Sequence, residues 1–432
     1  MSAFRQRAAA AGESFWFLPA VLGFSAIVLA QLLITLDRHI DGKDFGAWGV
    51  LLYRVGASGS RDILGAIGGS MLGVAATAFS ITISVLATAS STYGPRLVRN
   101  FMSDRGNQFV LGIFGSTFLY SLMVLRSIRS ESNDGESFVP DIAVNVAVLL
   151  AVVDVAVLVY FIHHIASSIQ VSTLSARVRD ELVDVVDHLY PQEVMDDHVP
   201  KRSIANAESV LAVKAGFVVG VDEQALVSDA CSGKYVVELR VGAGDHVIAG
   251  EILAVVSGGG DSCADEIRAA IVLGDTRTPK QDIDFAVQQL TEMAVRALSP
   301  STNDPYTARN AIDELAVGLV PLAARPTPLL GRLDSDGEYR VTVTRPVVGD
   351  LIGRTFGAFR RYGLSDPLVV EAVAQLGERI GRTTIHPEIR RGVLEQLAAL
   401  SRAYEAGERD EIDVAVGQAR LDEASAVVRS SV

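Results

Sequence analysis

The chain has 432 residues, 49% of them hydrophobic, and a formal net charge of -13; its mean hydropathy is +0.31. So acidic a balance, with no dense Lys/Arg cluster, excludes a general nucleic-acid binder, which needs a basic surface to displace counterions. The length allows two or three domains, and the apolar residues are front-loaded: long runs dominate up to about Ser168, after which Asp, Glu and Arg recur as in a water-soluble sequence.

A bilayer core of ~30 Å takes about 20 mainly apolar helical residues. Four segments qualify, at residues 15–36, 63–89, 108–125 and 142–166. The first is too long for a signal peptide and lacks a cleavage site, so it reads as a retained anchor. Phe15, Trp16 and Phe17 at its start suit an interfacial aromatic belt. Basic residues flank alternate ends: Arg5 and Arg7, then Arg96, Arg99 and Arg105, then Arg177 and Arg179. The intervening loops are mixed or acidic, although Arg126 and Arg129 weaken the contrast. The positive-inside rule then predicts cytoplasmic N- and C-termini and a cytosolic soluble half.

The second span carries a periodic polar face. Ser70, Gly73, Thr77, Ser80, Ser84, Thr88 and Ser91 recur at intervals of three and four, within one narrow sector of a helix. Leu72, Ala75, Phe79 and Leu86 lie opposite, with Thr82 as the polar exception. Such a stripe has two readings. Small residues let helices approach closely; hydroxyls repeated around a ring line a hydrated path without a fixed charge. The candidates for pore lining are Ser70, Thr77, Ser80, Ser84, Thr88 and Ser91. The helix is expected to break at Gly94-Pro95. Arg96 and Arg99 beyond it either meet lipid phosphates or gather at a vestibule.

Asp154 falls mid-span in "LLAVVDVAVLV". A carboxylate at that depth costs on the order of 3 kcal/mol or more, which makes it a functional candidate; the bland alternative is a neutral carboxyl bonded to a hydroxyl on span two. His163 and His164 close the fourth span as candidate pH sensors. Gly112, Gly115 and Ser116 suit close packing of the third.

Residues 169–200 read as a helical extension of span four and a connector. Residues 201–260 read as a β-rich module. Its "VGAGDHVIAGEIL" resembles the turn-strand pattern of biotinyl/lipoyl-type sandwich barrels, with Gly244 and Gly250 at tight turns and Val247 and Leu253 pointing inward. No lysine stands where such carriers hold a covalent cofactor. "SGGGDSC" reads as a flexible loop. Residues 261–432 are expected to be mainly helical, at 283–297, 305–322, 350–362, 367–380, 387–404 and 411–428, with one strand in "GEYRVTVTRP". Between the first two helices, "RALSPSTNDPYTARNAIDEL" groups Arg296, Ser299, Asn303, Asp304, Tyr306 and Arg309, as an assembly or ligand motif or as a capped helix start.

Cys231 and Cys263 lack metal-ligand spacing and read as reduced thiols. Catalytic, Walker, zinc-protease and dinucleotide signatures are missing. No enzyme, metal or cofactor is therefore expected. The fold class expected is an α-helical integral membrane protein with four transmembrane helices (residues 1–168), followed by a cytoplasmic α+β region.

The segments "SITISVLATASSTYGPRLVRNFMSDRGNQFVLGIFGSTFLYSLMVLRSI" and "RALSPSTNDPYTA", supported by "GFVVGVD" and "GDHVIAG", resemble a bacterial family of predicted multi-span membrane proteins catalogued as a domain of unknown function. The likeness spans nearly the whole chain and implies a place in a bacterial inner membrane, with no activity attached. The residues themselves favour a homo-oligomeric channel or pore for ions or small solutes, lined by span two and assembled or gated by the soluble half. The alternative is a membrane-anchored scaffold or sensor.

Overall fold

A computed structural model describes residues 15–40, 56–93, 104–129, 138–168, 170–193, 198–202, 204–205, 207–260 and 262–431. It divides into two compact units, Met1–Gln170 and Val171–Val432.

The first unit holds four helices long and apolar enough to cross a membrane: α1 (Phe17–Ile40), α2 (Ala57–Tyr93), α3 (Arg105–Ser127) and α4 (Asp141–Ser168). At 37 residues, α2 is roughly 55 Å long, more than the bilayer core needs. The hub is α3, which packs against the other three. Its most apolar stretch is 44% buried, against 11% for α2. Glycine makes one of these contacts possible: a Cβ at Gly112 would lie 2.6 Å from Leu22 and 3.1 Å from the Pro19 Cα of α1. Gly115, expected to pack in the same way, has nothing within 4 Å of a Cβ.

A polar clasp closes each end of this bundle. At one end Asp37 of α1 accepts hydrogen bonds from the Ile142 and Ala143 amides, at 3.1 and 3.0 Å, and so caps α4. Tyr120 of α3 donates its hydroxyl to the Ala143 carbonyl at 2.9 Å. At the other end Asp104 caps α3 by accepting from the Gly106 and Asn107 amides, and lies 3.1 Å from His164 of α4. Between the clasps run two apolar clusters, one around Ala30, Leu64, Val124 and Ala147, the other around Ala78, Val110, Phe114, Val157 and Phe161.

The second unit opens with α5 (Val171–Leu189), whose buried face of Leu174, Val178, Leu182 and Val185 packs against later helices of this unit. The expected extension of span four is thus part of the second unit's own bundle. Among the described residues nine strands follow: β1 (His198–Val199), β2 (Glu208–Leu211), β3 (Gly216–Val221), β4 (Val236–Leu239), β5 (His246–Val247), β6 (Ile252–Ser257), β7 (Ile271–Gly274), β8 (Gly331–Leu333) and β9 (Tyr339–Thr342). They form a six-stranded sheet in the order β1-β8-β9-β4-β6-β2 and a three-stranded sheet, β5-β3-β7. All pairings are antiparallel except β4 with β9.

This arrangement corrects the expected module in two respects. Strands from far along the chain complete the sheets, and two short helices sit among them: α6 (Glu223–Gly233) and α7 (Cys263–Ala270). The helix α6 starts where Asp222 accepts from the Ala225 amide and stops at Lys234, which takes φ 55°. The expected turns are present. Gly244 and Gly250 have φ of 97° and 92°, a region open to glycine, and Val247 and Leu253 are buried.

The remaining helices are α8 (Ile283–Ala297), α9 (Pro305–Ala324), α10 (Val348–Tyr362), α11 (Pro367–Thr383), α12 (Pro387–Glu405) and α13 (Glu411–Ser430). Three begin with proline in the first turn, which suits it because the amide hydrogen it lacks has no intrahelical partner there. α5 packs on α8 and α9, and α11 joins α9, α12 and α13.

Replacing Asp37 with alanine leaves two amides at the start of α4 without their acceptor. The full chain in detergent should lose about 1–2 kcal/mol of stability, read by thermal unfolding; an unchanged midpoint would contradict the clasp.

Candidate functional site

The stripe of α2 faces away from its own bundle. Ser70, Gly73, Thr77, Ser80, Ser84 and Thr88 are all exposed. The side that packs carries Leu64, Gly68, Ala78, Thr82 and Leu86. Packing within the subunit therefore does not use the stripe. Of the residues read as lying opposite the stripe, Leu72 and Phe79 are 51% and 39% exposed, and the polar exception Thr82 is buried. Ser91 lies inside α2, but its side chain is outside those described, as are Arg96 and Arg99 altogether.

Four of the exposed hydroxyls are held by their own helix. Ser70 donates to the Ile67 carbonyl at 3.0 Å, Thr77 to Gly73 at 3.0 Å, Ser80 to Ala76 at 2.9 Å and Thr88 to Ser84 at 3.0 Å. Each hydroxyl thus spends its hydrogen inside the helix and keeps oxygen lone pairs to offer outward. The resulting surface is neutral, hydrogen-bond accepting, and roughly 27 Å long from Ser70 to Thr88.

Asp154 turns the opposite way, into the bundle, and is 1% exposed. The polar side chain facing it is Thr117 of α3. The alternative reading, a carboxyl bonded to a hydroxyl on span two, is not what is seen: neither Asp154 oxygen has a hydrogen-bond partner, and Thr82 donates to the Ala78 carbonyl. His164 joins the clasp with Asp104 and stacks on Tyr160, with ring centroids 5.4 Å apart.

In the second unit, the motif between α8 and α9 is a self-bonded turn. Asp304 accepts from the Thr307 amide at 3.0 Å and from the Thr307 hydroxyl at 2.6 Å. These bonds, the hydroxyl's first, hold its carboxyl below the usual range. Asn303 takes φ 47°, and its amide donates to the Ser299 carbonyl. The Ser299 hydroxyl lies near those of Ser301 and Thr302. The arginines look elsewhere: Arg296 to Glu292 at 3.0 Å, Arg309 to Glu371 at 3.3 Å. Tyr306 is 77% exposed. The six residues therefore do not converge on a shared pocket.

Two features escaped the sequence reading. The first is a groove of about 1080 Å³ bordered by α10, α12 and the segment after α9. Gly349, Gly353 and Gly357 of α10 and Gly392 of α12 line it. A Cβ at Gly349, Gly357 or Gly392 would meet nothing within 4 Å. Two of its arginines are engaged, Arg354 with Asp284 at 2.9 Å and Arg360 with Gln396 at 3.1 Å. The signal was the four-residue spacing of glycines in "GDLIGRTFG". The second is the approach of Cys231, Asp334 and Asp336, whose ligand atoms lie within 4.8 Å of one another. Asp334 there already binds Arg340 at 2.6 Å and accepts from the Asp336 and Glu338 amides. Arg340 foremost holds the Asp334 carboxyl down at about 2, and that carboxylate in turn pushes the Cys231 thiol up. Asp334 and Asp336 belong to the hydrogen-bonded turn between β8 and β9, Cys231 comes from α6, and Arg340 pairs with Asp334.

The Asp304 cap yields a pH prediction. A carboxyl lowered in the folded state adds stability that is complete above its unfolded value near pH 4 and lost as pH falls through the lowered folded value. Asp304→Ala should therefore destabilise the chain by about 1 kcal/mol at neutral pH, with the difference shrinking in strong acid. Thermal unfolding against pH checks this; a loss independent of pH would contradict it.

The profile of a family described as a predicted membrane protein (DUF2254) matches residues 12–378. An uncharacterized protein of Mycobacterium tuberculosis is 33% identical over 415 residues, covering 93% of this chain and 78% of its own length. An uncharacterized protein of Mycobacterium bovis matches to the same extent. No solved structure matches the chain. With the family profile spanning most of its length and four helices able to cross a membrane, the chain belongs to the DUF2254 family of predicted membrane proteins.

Proposed function

We propose that several copies of this chain surround an axis in a bacterial inner membrane and form a channel for ions or small solutes, each α2 presenting Ser70, Thr77, Ser80, Ser84 and Thr88 to the path. The observation that carries this reading is the outward exposure of that whole face while the other side of α2 is packed. A surface of oxygen acceptors is poorly matched to acyl chains and well matched to water or a hydrated solute. Closed rotational symmetry is the usual way such a face finds an occupant.

In this reading the termini and the second unit are cytoplasmic, on the strength of the Arg96, Arg99 and Arg105 loop and of Arg177 and Arg179. The second unit serves assembly or gating, and the chain has no enzymatic role. A membrane-anchored scaffold or sensor is the second reading, and the glycine-lined groove beside α10 favours it by offering a partner an open backbone surface.

Recording from the purified full chain in planar bilayers separates the two. A channel gives discrete unitary currents, and replacing Ser80, Ser84 and Thr88 together with alanine changes their size by about twofold or more. Alanine keeps the small-residue packing, so a scaffold tolerates it with no current before or after. Silence across voltage and pH from intact oligomers would contradict the channel.

A further inference from the structure

Asp154 stands mid-helix, ten residues from His164 in one direction and eleven from Ala143 in the other, so about 15 Å of helix separates it from each polar clasp. Neither of its carboxyl oxygens has a hydrogen-bond partner, and neither does the Thr117 hydroxyl, itself 1% exposed. The neighbouring cluster is apolar: Ala78 from α2, Phe114 from α3, Val157 and Phe161 from α4 itself. The titratable groups that α1, α2 and α3 contribute stand at the ends of the bundle. Asp37 of α1 is occupied by two backbone amides, Arg61 of α2 donates to the Ile128 carbonyl, and Asp104 of α3 faces His164 of α4. Among the described residues, no charged side chain pairs with Asp154.

An unpaired carboxylate at this depth is the most costly form the side chain has. A neutral acid removes that cost and brings a second O–H donor beside the Thr117 hydroxyl, so that either group can donate to the other. A metal ion has less to bind here, since hard cations want six or more oxygens and two side chains are present.

We propose that Asp154, with the Thr117 hydroxyl beside it, is a proton-binding site inside the membrane-spanning unit. The bound state is the carboxylic acid. On release the O–H bond breaks, its electron pair stays on the carboxylate, and a water molecule takes the proton. The carboxylate then needs water, so release opens the contacts around Phe114 and Phe161, and proton occupancy sets the packing of α3 against α4. This site lies on the packed side of the bundle and does not depend on what the α2 stripe faces.

The test is infrared spectroscopy of the full chain in liposomes, with aspartate isotope-labelled at its side-chain carboxyl. The expected result is a neutral carboxylic-acid carbonyl band at neutral pH that shifts with the label, disappears at high pH, and is missing from Asp154→Asn. As the band vanishes, amide hydrogen exchange around Phe114 should rise by about tenfold or more in the wild type and stay flat in the asparagine variant, a permanently neutral mimic. A wild-type spectrum without that band at neutral pH overturns the proposal, and needs no variant to fold. So does an Asp154→Asn spectrum that keeps the band. Exchange that ignores the band's loss overturns the coupling to packing.

Discussion

Inside hydrocarbon a polar group has no water to turn to, and each one must find its partner within the protein. The first unit meets that constraint in two ways and leaves one group outside it. Backbone groups at the helix starts are met by Asp37 and Asp104. The outward hydroxyls of Ser70, Thr77, Ser80 and Thr88 on α2 are met by carbonyls of their own helix about one turn back. Asp154 is not met at all. The arrangement of the four helices, and the functional readings of the unit, follow from this division.

The self-bonded hydroxyls change what the stripe on α2 implies. A serine whose hydrogen is donated to the carbonyl four residues back tolerates an apolar neighbour better than a free one. The stripe is thus not forced to find a partner by an unpaid hydrogen bond. What distinguishes it is geometry: a continuous row of small side chains and oxygen acceptors, on the side of the helix that its own subunit leaves bare. Close approach of a second copy and contact with a hydrated axis both use that surface, and a pore helix does both at once.

Much of this was legible in the sequence where one physical signal dominates. Long apolar runs located the four spans. Proline after an aspartate or histidine located three helix starts in the second unit. Gly244 and Gly250 marked their turns. The failures share a cause. The helix α6 sits in a stretch rich in Val and Gly, and its signal is one capping aspartate followed by "EQALVSDACSG", too short for periodicity to outvote the strands around it. The sheets take in β8 and β9 from residues far downstream, because strand pairing is a tertiary choice that local patterns do not encode. At Asp154, depth was readable and direction was not; only the packing of α4 on α3 decides that it lies beside Thr117. In "SPSTNDPYTA" the sequence left a contact or ligand motif and a capped helix start both open, and the bonds present shape a turn.

Imaging the purified full chain in a lipid nanodisc tests the central claim most directly, because it reveals which way α2 faces once neighbours are present. The account predicts a closed rotational assembly with Ser80, Ser84 and Thr88 of every copy turned toward the axis. A monomer, or an assembly in which that row points outward to lipid, would contradict it.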